Sequence, residues 1–246
     1  MTLPFILRAG TKARAQISQS GFDADSLAAF GAPAGGPKFI IQSHLDRFLF
    51  SQWLPQRKQA LPAFGSSIGA FRLLAAAHRD PAAAAERLYQ AYCQQNYENK
   101  PTATDISREV NKILHALLQA DDMDYILHHP WLQLNLLTTR CLGLAAARQP
   151  AWQAIGFALA FASNLRARRR LATRFERCVF QNHTAAAPVL APDAFATHTT
   201  RLTRENLAPV TLASGTIPLL METVRDIPQA PAGAHIDGGM IDYHID

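Results

Sequence analysis

The chain has 246 residues, of which 48% are hydrophobic and 17% are charged. That apolar content is too high for a disordered protein, and the length suits one α/β domain. The 24 lysines and arginines exceed the 19 acidic residues by only five charges, so the chain lacks the strongly basic character of a nucleic-acid-binding domain. We therefore expect one soluble domain with a sizeable core and no nucleic-acid partner.

The cysteines carry information about the compartment and about metals. Cys93, Cys141 and Cys178 are odd in number and far apart, which fits neither a disulfide framework nor the spacing of zinc ligands. We expect reduced thiols in a cytoplasmic protein, with no metal ion and no cofactor.

The first part of the chain shows a strand, a glycine turn and a helix, and then repeats this order. The predicted bounds are a strand over 26–30, a turn over 31–37, a helix over 38–53, a strand over 60–64, a turn over 65–69 and a helix over 70–78. Pro37 suits the first turn of a helix, where its missing N–H group would have no partner in any case. Such repeated strand–turn–helix units favour a parallel sheet.

The rest of the chain is predicted to alternate similarly, after a helical insert over 81–137. The later elements are a helix over 151–170, strands over 176–181 and 195–202, a short helix over 204–213 and an apolar segment that enters a glycine turn near the carboxyl terminus. We expect one α/β domain over 1–246, a three-layer sandwich with a mostly parallel central sheet flanked by helices. The 81–137 insert would form a helical cap over the site.

A possible nucleophile lies in the second turn. Gly65-Ser66-Ser67-Ile68-Gly69 fits the pattern G-x-S-x-G between a predicted strand and a predicted helix. In that context the backbone bends sharply, the serine hydroxyl projects above the sheet, and the flanking glycines avoid a Cβ clash. Ser67 is therefore the candidate nucleophile. The alternative is a tight turn that carries a surface serine.

Two further glycine turns accompany the serine. The N–H groups of Gly35 and Gly36 precede a predicted helix and could bind an oxyanion. Asp237 stands directly before Gly238 and Gly239, at the end of an apolar segment. Taken alone, this Asp-Gly pair is typical of a hairpin turn.

Together these motifs resemble the patatin-like phospholipase family. The family combines a glycine-rich oxyanion loop, a G-x-S-x-G elbow and a late Asp-Gly-Gly in this order, and here they span 31–239. The resemblance implies that Ser67 is the nucleophile, Asp237 the base, Gly35 and Gly36 the oxyanion glycines and Lys38 the basic residue after them. Its motif-supporting glycines are Gly65, Gly69, Gly238 and Gly239. The segment 213–218 resembles the Ala-Ser-x-x-x-Pro stretch of the family.

The chain also departs from the family pattern. Ala34 stands where the family usually has its first loop glycine, and Phe39 where a glycine often follows the basic residue. The chain stops seven residues after Gly239, whereas members usually continue with more sheet and helix. The comparison therefore predicts a shortened carboxyl-terminal part.

The resemblance implies a lipid acyl hydrolase of the phospholipase A or esterase type, which cleaves carboxylic esters through a Ser67–Asp237 dyad and an acyl-enzyme. One alternative is a Ser-His-Asp triad, because His235 and His244 flank Asp237. Another is a catalytically silent member that binds acyl chains, membranes or a partner.

The positive charge of the chain is local. Residues 166–177 hold six arginines and one glutamate, a surplus that equals the net charge of the whole chain. The plain interpretation is the solvated basic end of a helix, which complements the helix dipole. The sharper interpretation is peripheral contact with an anionic membrane through Arg166, Arg168, Arg169 and Arg170.

Overall fold

A computed structural model describes residues 8–97, 99–118, 122–184 and 193–244, which form an open seven-stranded sheet with helices against it. The strands are β1 (Phe30–Ala32), β2 (Leu61–Ser66), β3 (Leu132–Cys141), β4 (Phe175–Gln181), β5 (Thr197–Arg201), β6 (Val224–Arg225) and β7 (Ala234–Asp237). The α-helices are α1 (Thr11–Ser20), α2 (Phe39–Phe48), α3 (Ile68–Ala76), α4 (Pro81–Cys93), α5 (Ala103–Leu117), α6 (Met123–Leu127), α7 (Pro150–Arg166) and α8 (Leu207–Ser214).

The main path of the sheet runs β1-β2-β3-β4-β5. Its β1–β2, β2–β3 and β4–β5 ladders are parallel, and only the β3–β4 ladder is antiparallel. Strands β6 and β7 form an antiparallel pair that joins the sheet through β3. The expected α/β architecture, with a mostly parallel open sheet flanked by helices, is confirmed.

Strand β3 corrects the prediction that 81–137 is helical throughout. Helices fill this region only as far as Leu127, and from Leu132 the chain forms the strand with the most neighbours in the sheet. Leu134, Leu136 and Leu137 are fully buried, so both faces of the strand are covered. Leu132-Gln133-Leu134-Asn135-Leu136 alternates apolar and polar residues, which is the pattern of a strand, so the sequence carried a signal for β3 that the helical assignment of this region overlooked.

Helices cover the two faces of the sheet unequally. On one face, alternate residues of β2, β3 and β4 form the main core with α3, α4, α5 and α8, including Leu61, Leu134 and Phe180. On the other face, Phe175 and Ile236 pack with Ala160 of α7 and with Leu171 of the 3-10 turn that follows it. These two clusters are consistent with a three-layer sandwich.

The second face is also held by an ionic cluster in which Arg177 and Asp242 are buried and Asp193 is exposed. The Arg177 guanidinium donates two hydrogen bonds of 2.7 Å to the Asp242 carboxylate and a further one of 2.6 Å to Asp193. Ser66, at the end of β2, donates its hydroxyl proton to the Asp242 carbonyl oxygen over 2.8 Å. These contacts fix the segment that follows the Asp-Gly-Gly turn.

Two further findings concern the start of β1 and the question of a membrane-spanning helix. Strand β1 begins at Phe30 rather than at residue 26, because an Asp23–Ser26 capping box folds 24–26 into a 3-10 turn. None of the helices in the described ranges combines the length and the apolar character needed to cross a bilayer.

Candidate active site

The site forms where two strands meet end to end along one edge of β3. Strand β2 runs parallel to β3 and ends with Ser66 opposite Leu137. Strand β7 approaches from the other direction, antiparallel to β3, and ends with Asp237 opposite Thr138. Since Leu137 and Thr138 are consecutive, the carboxyl ends of β2 and β7 face each other. This register brings Asp237 beside Ser67, the residue that follows β2 and lies 170 positions earlier in the chain.

Ser67 lies in the sharp turn between β2 and α3. Its backbone has φ 55° and ψ −131°, a conformation that costs a non-glycine residue about 1–3 kcal/mol. The Ser67 N–H group donates a 3.0 Å hydrogen bond to Ser214 Oγ, and Ser214 Oγ donates one of 2.7 Å to the Leu137 carbonyl. A fully buried side chain thus ties the strained turn to β3.

The Ser67 hydroxyl is directed at Asp237. Ser67 Oγ donates a 2.6 Å hydrogen bond to Asp237 Oδ2, and the Gly239 N–H group donates one of 2.6 Å to Asp237 Oδ1. The backbone N–H of Asp237 donates to the Thr216 carbonyl over 3.0 Å. The carboxylate is therefore oriented on both oxygens, and one of them is in place to accept the hydroxyl proton of Ser67.

Burial changes the proton affinity of this carboxylate. It raises the pKa of Asp237 from its ordinary value near 3.8 to about 6, although the hydrogen bonds from Ser67 and Gly239 act in the opposite direction. A carboxylate with a pKa near 6 is a stronger base than an ordinary aspartate and is still mostly ionised at neutral pH.

Glycines allow the turns of the site to pack closely. A Cβ atom on Gly69 would overlap the Ala32 carbonyl at the end of β1, and one on Gly65 would lie 2.8 Å from the Gly69 carbonyl oxygen. A Cβ atom on Gly238 would overlap the Leu137 carbonyl of β3, and one on Gly239 would lie 2.8 Å from Ala34 Cβ. These motif glycines bring β1, β3, the elbow and the aspartate turn into contact.

The predicted oxyanion loop lies beside these turns. Gly36 has φ 52°, a left-handed conformation that favours glycine, and lies on the wall of the same cavity as Ser67. Within the described ranges, the N–H groups of Gly35 and Gly36 have no hydrogen-bond acceptor, whereas that of Ala34 donates to the Tyr243 carbonyl. The loop thus presents two unpaired donors.

The side chain of Lys38 lines a different cleft from the cavity that contains Ser67. Its backbone N–H donates to the Gly35 carbonyl, and its exposed side chain lines a neighbouring cleft with Tyr243 and His244. It does not line the cavity that contains Ser67.

That cavity has a volume of about 140 Å³ and opens to the surface. Its walls are mostly apolar and come from α3, α4, α5 and the segment after α8, including Phe71, Ile106, Val110, Ile113 and Met221. The helices of the predicted cap therefore contribute part of the wall through Tyr92 and α5.

The histidines near Asp237 make other contacts. His235 is buried, with one ring nitrogen 3.0 Å from the Pro231 carbonyl and the other 3.3 Å from Thr138 Oγ1, and burial lowers its pKa. The exposed His244 ring packs edge-on against Tyr243. Neither ring is hydrogen-bonded to Ser67 or to Asp237 in the described structure.

Two groups with a place in the site received no role from the sequence. The N–H group of Ile68, the first residue of α3, has no acceptor within the described ranges and lies beside the cavity. The sequence did contain a signal for this role of Ile68, because the residue after an elbow nucleophile commonly contributes its N–H group to the oxyanion hole. Ser214 belonged to a segment singled out by its likeness to a family motif, but only the structure shows what its hydroxyl contacts.

Metal-ligating side chains do not cluster in the described part of the chain. Among the residues with described positions, no three or more His, Cys, Asp and Glu side chains are grouped so that they could hold a metal ion. The described cysteines are free thiols.

Comparisons with known proteins add no identification. A scan against models of protein families, a search of curated proteins and a search of solved structures each found no match to this chain.

Proposed function

We propose that the chain is a patatin-like serine acyl hydrolase that cleaves carboxylic esters of lipids or of other acyl compounds. The observation that carries this proposal is the 2.6 Å hydrogen bond from Ser67 Oγ to Asp237 Oδ2. It joins a serine on a strained strand-to-helix turn to a buried carboxylate of raised pKa, beside an apolar cavity. A nucleophile paired with a base is the arrangement that acyl transfer requires.

In the first half-reaction, Asp237 accepts the Ser67 hydroxyl proton as Ser67 Oγ attacks the ester carbonyl carbon. The resulting tetrahedral intermediate collapses, its bond to the leaving oxygen breaks, and Asp237 returns the proton to the departing alcohol. The acyl group is then bound to Ser67 as an ester. In the second half, Asp237 takes a proton from water, the hydroxide attacks the acyl-enzyme, and the proton returns to Ser67 as the acid leaves.

Three backbone N–H groups near the elbow, those of Gly35, Gly36 and Ile68, are unpaired within the described ranges. We assign the stabilisation of the tetrahedral intermediates to these groups; Gly36 and Ile68 line the cavity beside Ser67, whereas Gly35 lines the neighbouring cleft. Ser67 also precedes the first turn of α3, where the helix dipole favours a developing negative charge. No histidine and no metal ion takes part in this scheme.

The cavity indicates what binds beside the ester. At about 140 Å³ it is close to the size of an apolar protein cavity that holds one benzene molecule, roughly six carbon atoms. We infer that it receives the first carbons of the acyl chain next to the scissile carbonyl. Since the cavity is open to the surface, the rest of a longer chain can extend outward.

A fluorophosphonate probe tests the nucleophile, because it reacts covalently with activated serines. We expect stoichiometric labelling of the wild-type chain at Ser67, and loss of both labelling and p-nitrophenyl ester hydrolysis in Ser67→Ala. Ser20→Ala is the control, since Ser20 is exposed on α1 and its hydroxyl donates only to the Gln16 carbonyl. Absence of labelling in well-folded wild-type protein would favour a catalytically silent binding protein instead.

The raised pKa of Asp237 predicts the pH dependence of the reaction. The base must be ionised to accept a proton, so kcat/KM should rise with pH and level off above a pKa of about 6. Below that pH we expect a fall of about tenfold per pH unit, measured as initial rates with circular dichroism as a check on folding. A profile that stays flat between mildly acidic and neutral pH would contradict the assignment of the base.

A further inference from the structure

Most large apolar residues of helix α7 face solvent, whereas a surface helix usually buries them. Its inward positions are Gln153, Gly156 and Ala160, together with Phe157, which stacks on Phe175, and its other large apolar residues are exposed. We call this exposed set the α7 outer face; it consists of Trp152, Ile155, Leu159, Phe161 and Leu165. Phe161 is 65% exposed and Leu165 is 73% exposed, so these side chains contribute almost nothing to the core.

The outer face forms a continuous surface. At 3.6 residues per turn, Trp152, Ile155 and Leu159 form one row, and Phe161 and Leu165 form a second. The exposed Ala158 and Ala162 lie between the rows. No charged residue occurs from Pro150 to Leu165, so about half of the helix circumference is apolar and faces solvent. An apolar surface of this extent marks an interaction site.

Packing fixes this orientation of the helix. A Cβ atom on Gly156 would overlap the Ala145 backbone, so the helix sits directly on the 3-10 turn Gly143–Ala146. Gln153 donates a 2.9 Å hydrogen bond to Thr223 Oγ1 from the same side. The close approach requires Gly156 on the inside, Phe157 also packs inward against Phe175, and the remaining large apolar residues are left outside.

A cluster of arginines follows the α7 outer face directly along the chain. Arg166, Arg168, Arg169 and Arg170, here called the basic end, are exposed, and none forms an ion pair within the part of the chain that is described. Arg168 donates to the Ile241 carbonyl and lies over the Phe195 ring, whereas the other three side chains make no hydrogen bond among the described residues. The apolar face is thus followed directly along the chain by a cluster of exposed arginines without acidic partners in the described part of the chain.

We propose that the α7 outer face and the basic end form a docking surface for an anionic lipid bilayer. The helix would lie in the plane of the interface, with its apolar rows at the boundary between headgroups and acyl chains. The guanidinium groups would contact lipid phosphates and carboxylates. Trp, Phe and Leu beside a cluster of arginines is the composition of helices that bind membranes in this way, and charge complementarity favours an anionic surface as the partner.

This docking is separate from the proposed ester hydrolysis. None of the α7 outer face lines the cavity beside Ser67, and none of it contacts Ser67 or Asp237. Vesicle binding is therefore expected to persist in Ser67→Ala, so failure of one proposal leaves the other standing.

Co-sedimentation of the full chain with phosphatidylcholine vesicles, with and without phosphatidylserine, tests the surface. We expect binding to the anionic vesicles that weakens as salt is added. Phe161→Ser/Leu165→Ser should reduce the affinity at least about tenfold through lost apolar burial. Arg169→Glu/Arg170→Glu should reduce it by about 30-fold or more at low salt.

Matched controls lie on other helices. Lys12→Glu/Arg14→Glu on α1 makes the same change in net charge, and Ile41→Ser on α2 removes a side chain that is 89% exposed. Both should leave vesicle binding within about twofold of wild type. A blue shift of tryptophan fluorescence on vesicle addition, absent in Trp152→Phe, would report insertion of the outer face.

Several results would overturn the proposal. They are equal binding by the test and control variants, insensitivity to both phosphatidylserine and salt, and no binding by a folded wild-type chain. If light scattering instead shows that Phe161→Ser/Leu165→Ser converts an oligomer to a monomer while vesicle binding is unchanged, the face is an interface between copies of this chain.

Discussion

Asp237→Asn is expected to abolish most of the ester hydrolysis while leaving the fold intact. The amide of asparagine has nearly the shape of the carboxylate but cannot accept the Ser67 proton. Its oxygen can still accept the 2.6 Å hydrogen bond from the Gly239 N–H group. Loss of a general base typically lowers kcat by about 10²–10⁴-fold. Steady-state hydrolysis of a p-nitrophenyl ester measures the effect, which should appear in kcat more than in KM.

The same variant should not lose stability. The pKa of Asp237 is about 6 in the folded chain, above its ordinary value near 3.8, so folding disfavours the ionised form. The contribution of this group to stability is therefore highest below its unfolded pKa and is lost as pH rises through the folded pKa. A neutral amide removes that cost, which is up to about 3 kcal/mol at neutral pH. The free energy of unfolding of Asp237→Asn should match or exceed that of wild type.

The control for this prediction is His244→Ala. His244 contacts only the Tyr243 ring among the interactions described for its side chain, so its removal should leave kcat nearly unchanged. If Asp237→Asn retained hydrolysis while His244→Ala lost it, the Ser-Asp dyad would be wrong and a triad would take its place.

Gly69→Ala is expected to destabilise the fold severely. The added Cβ would overlap the carbonyl oxygen of Ala32, and it would also lie 3.0 Å from that of Pro33. Both neighbours are backbone atoms, so the clash cannot be relieved by a side-chain rotation. Either β1 and its loop must move away from α3, or the elbow must open. We expect a loss of more than about 4 kcal/mol in the free energy of unfolding, measured by denaturant titration.

Substitutions at two other glycines give a graded comparison for the loss of stability in Gly69→Ala. Gly10→Ala is the control, because a Cβ there would meet nothing within 4 Å, and it should leave stability within about 0.5 kcal/mol of wild type. Gly65→Ala should fall between the two, since its nearest backbone contact would be 2.8 Å. A Gly69→Ala protein as stable as wild type would show that β1 does not pack on α3 as described.

The elements around the elbow could be predicted from the sequence because their signals are local. A short apolar run, a G-x-S-x-G turn and an alanine-rich segment specify a strand, a sharp bend and a buried helix within about twenty residues. The contact between Ser67 and Asp237 was anticipated only through the order of motifs in a known family. What makes the contact possible is the register of β2 and β7 on β3, which no local pattern encodes.

Strand β3 could have been predicted locally, because Leu132-Gln133-Leu134-Asn135-Leu136 alternates apolar and polar residues as a strand does. The sequence does not show that Asn135 is buried as completely as the leucines, because the hydrogen bonds of its side-chain amide lie within the sheet. The orientation of α7 could not be predicted from its sequence. Its sequence is apolar around much of the helix, so periodicity cannot show which side faces the core. Only the close approach at Gly156 decides this.

The meeting of β2 and β7 also has a consequence for how the protein acquires activity. Ser67 and Asp237 are separated by 170 residues, and the strand that carries the aspartate comes near the carboxyl end of the described chain. During synthesis, the segment that carries Asp237 leaves the ribosome long after the elbow. The serine therefore has no base until that segment has been made and has paired with β3. Under the proposed function, partly synthesised or partly folded chains would be harmless to acyl esters, and hydrolysis would report complete folding.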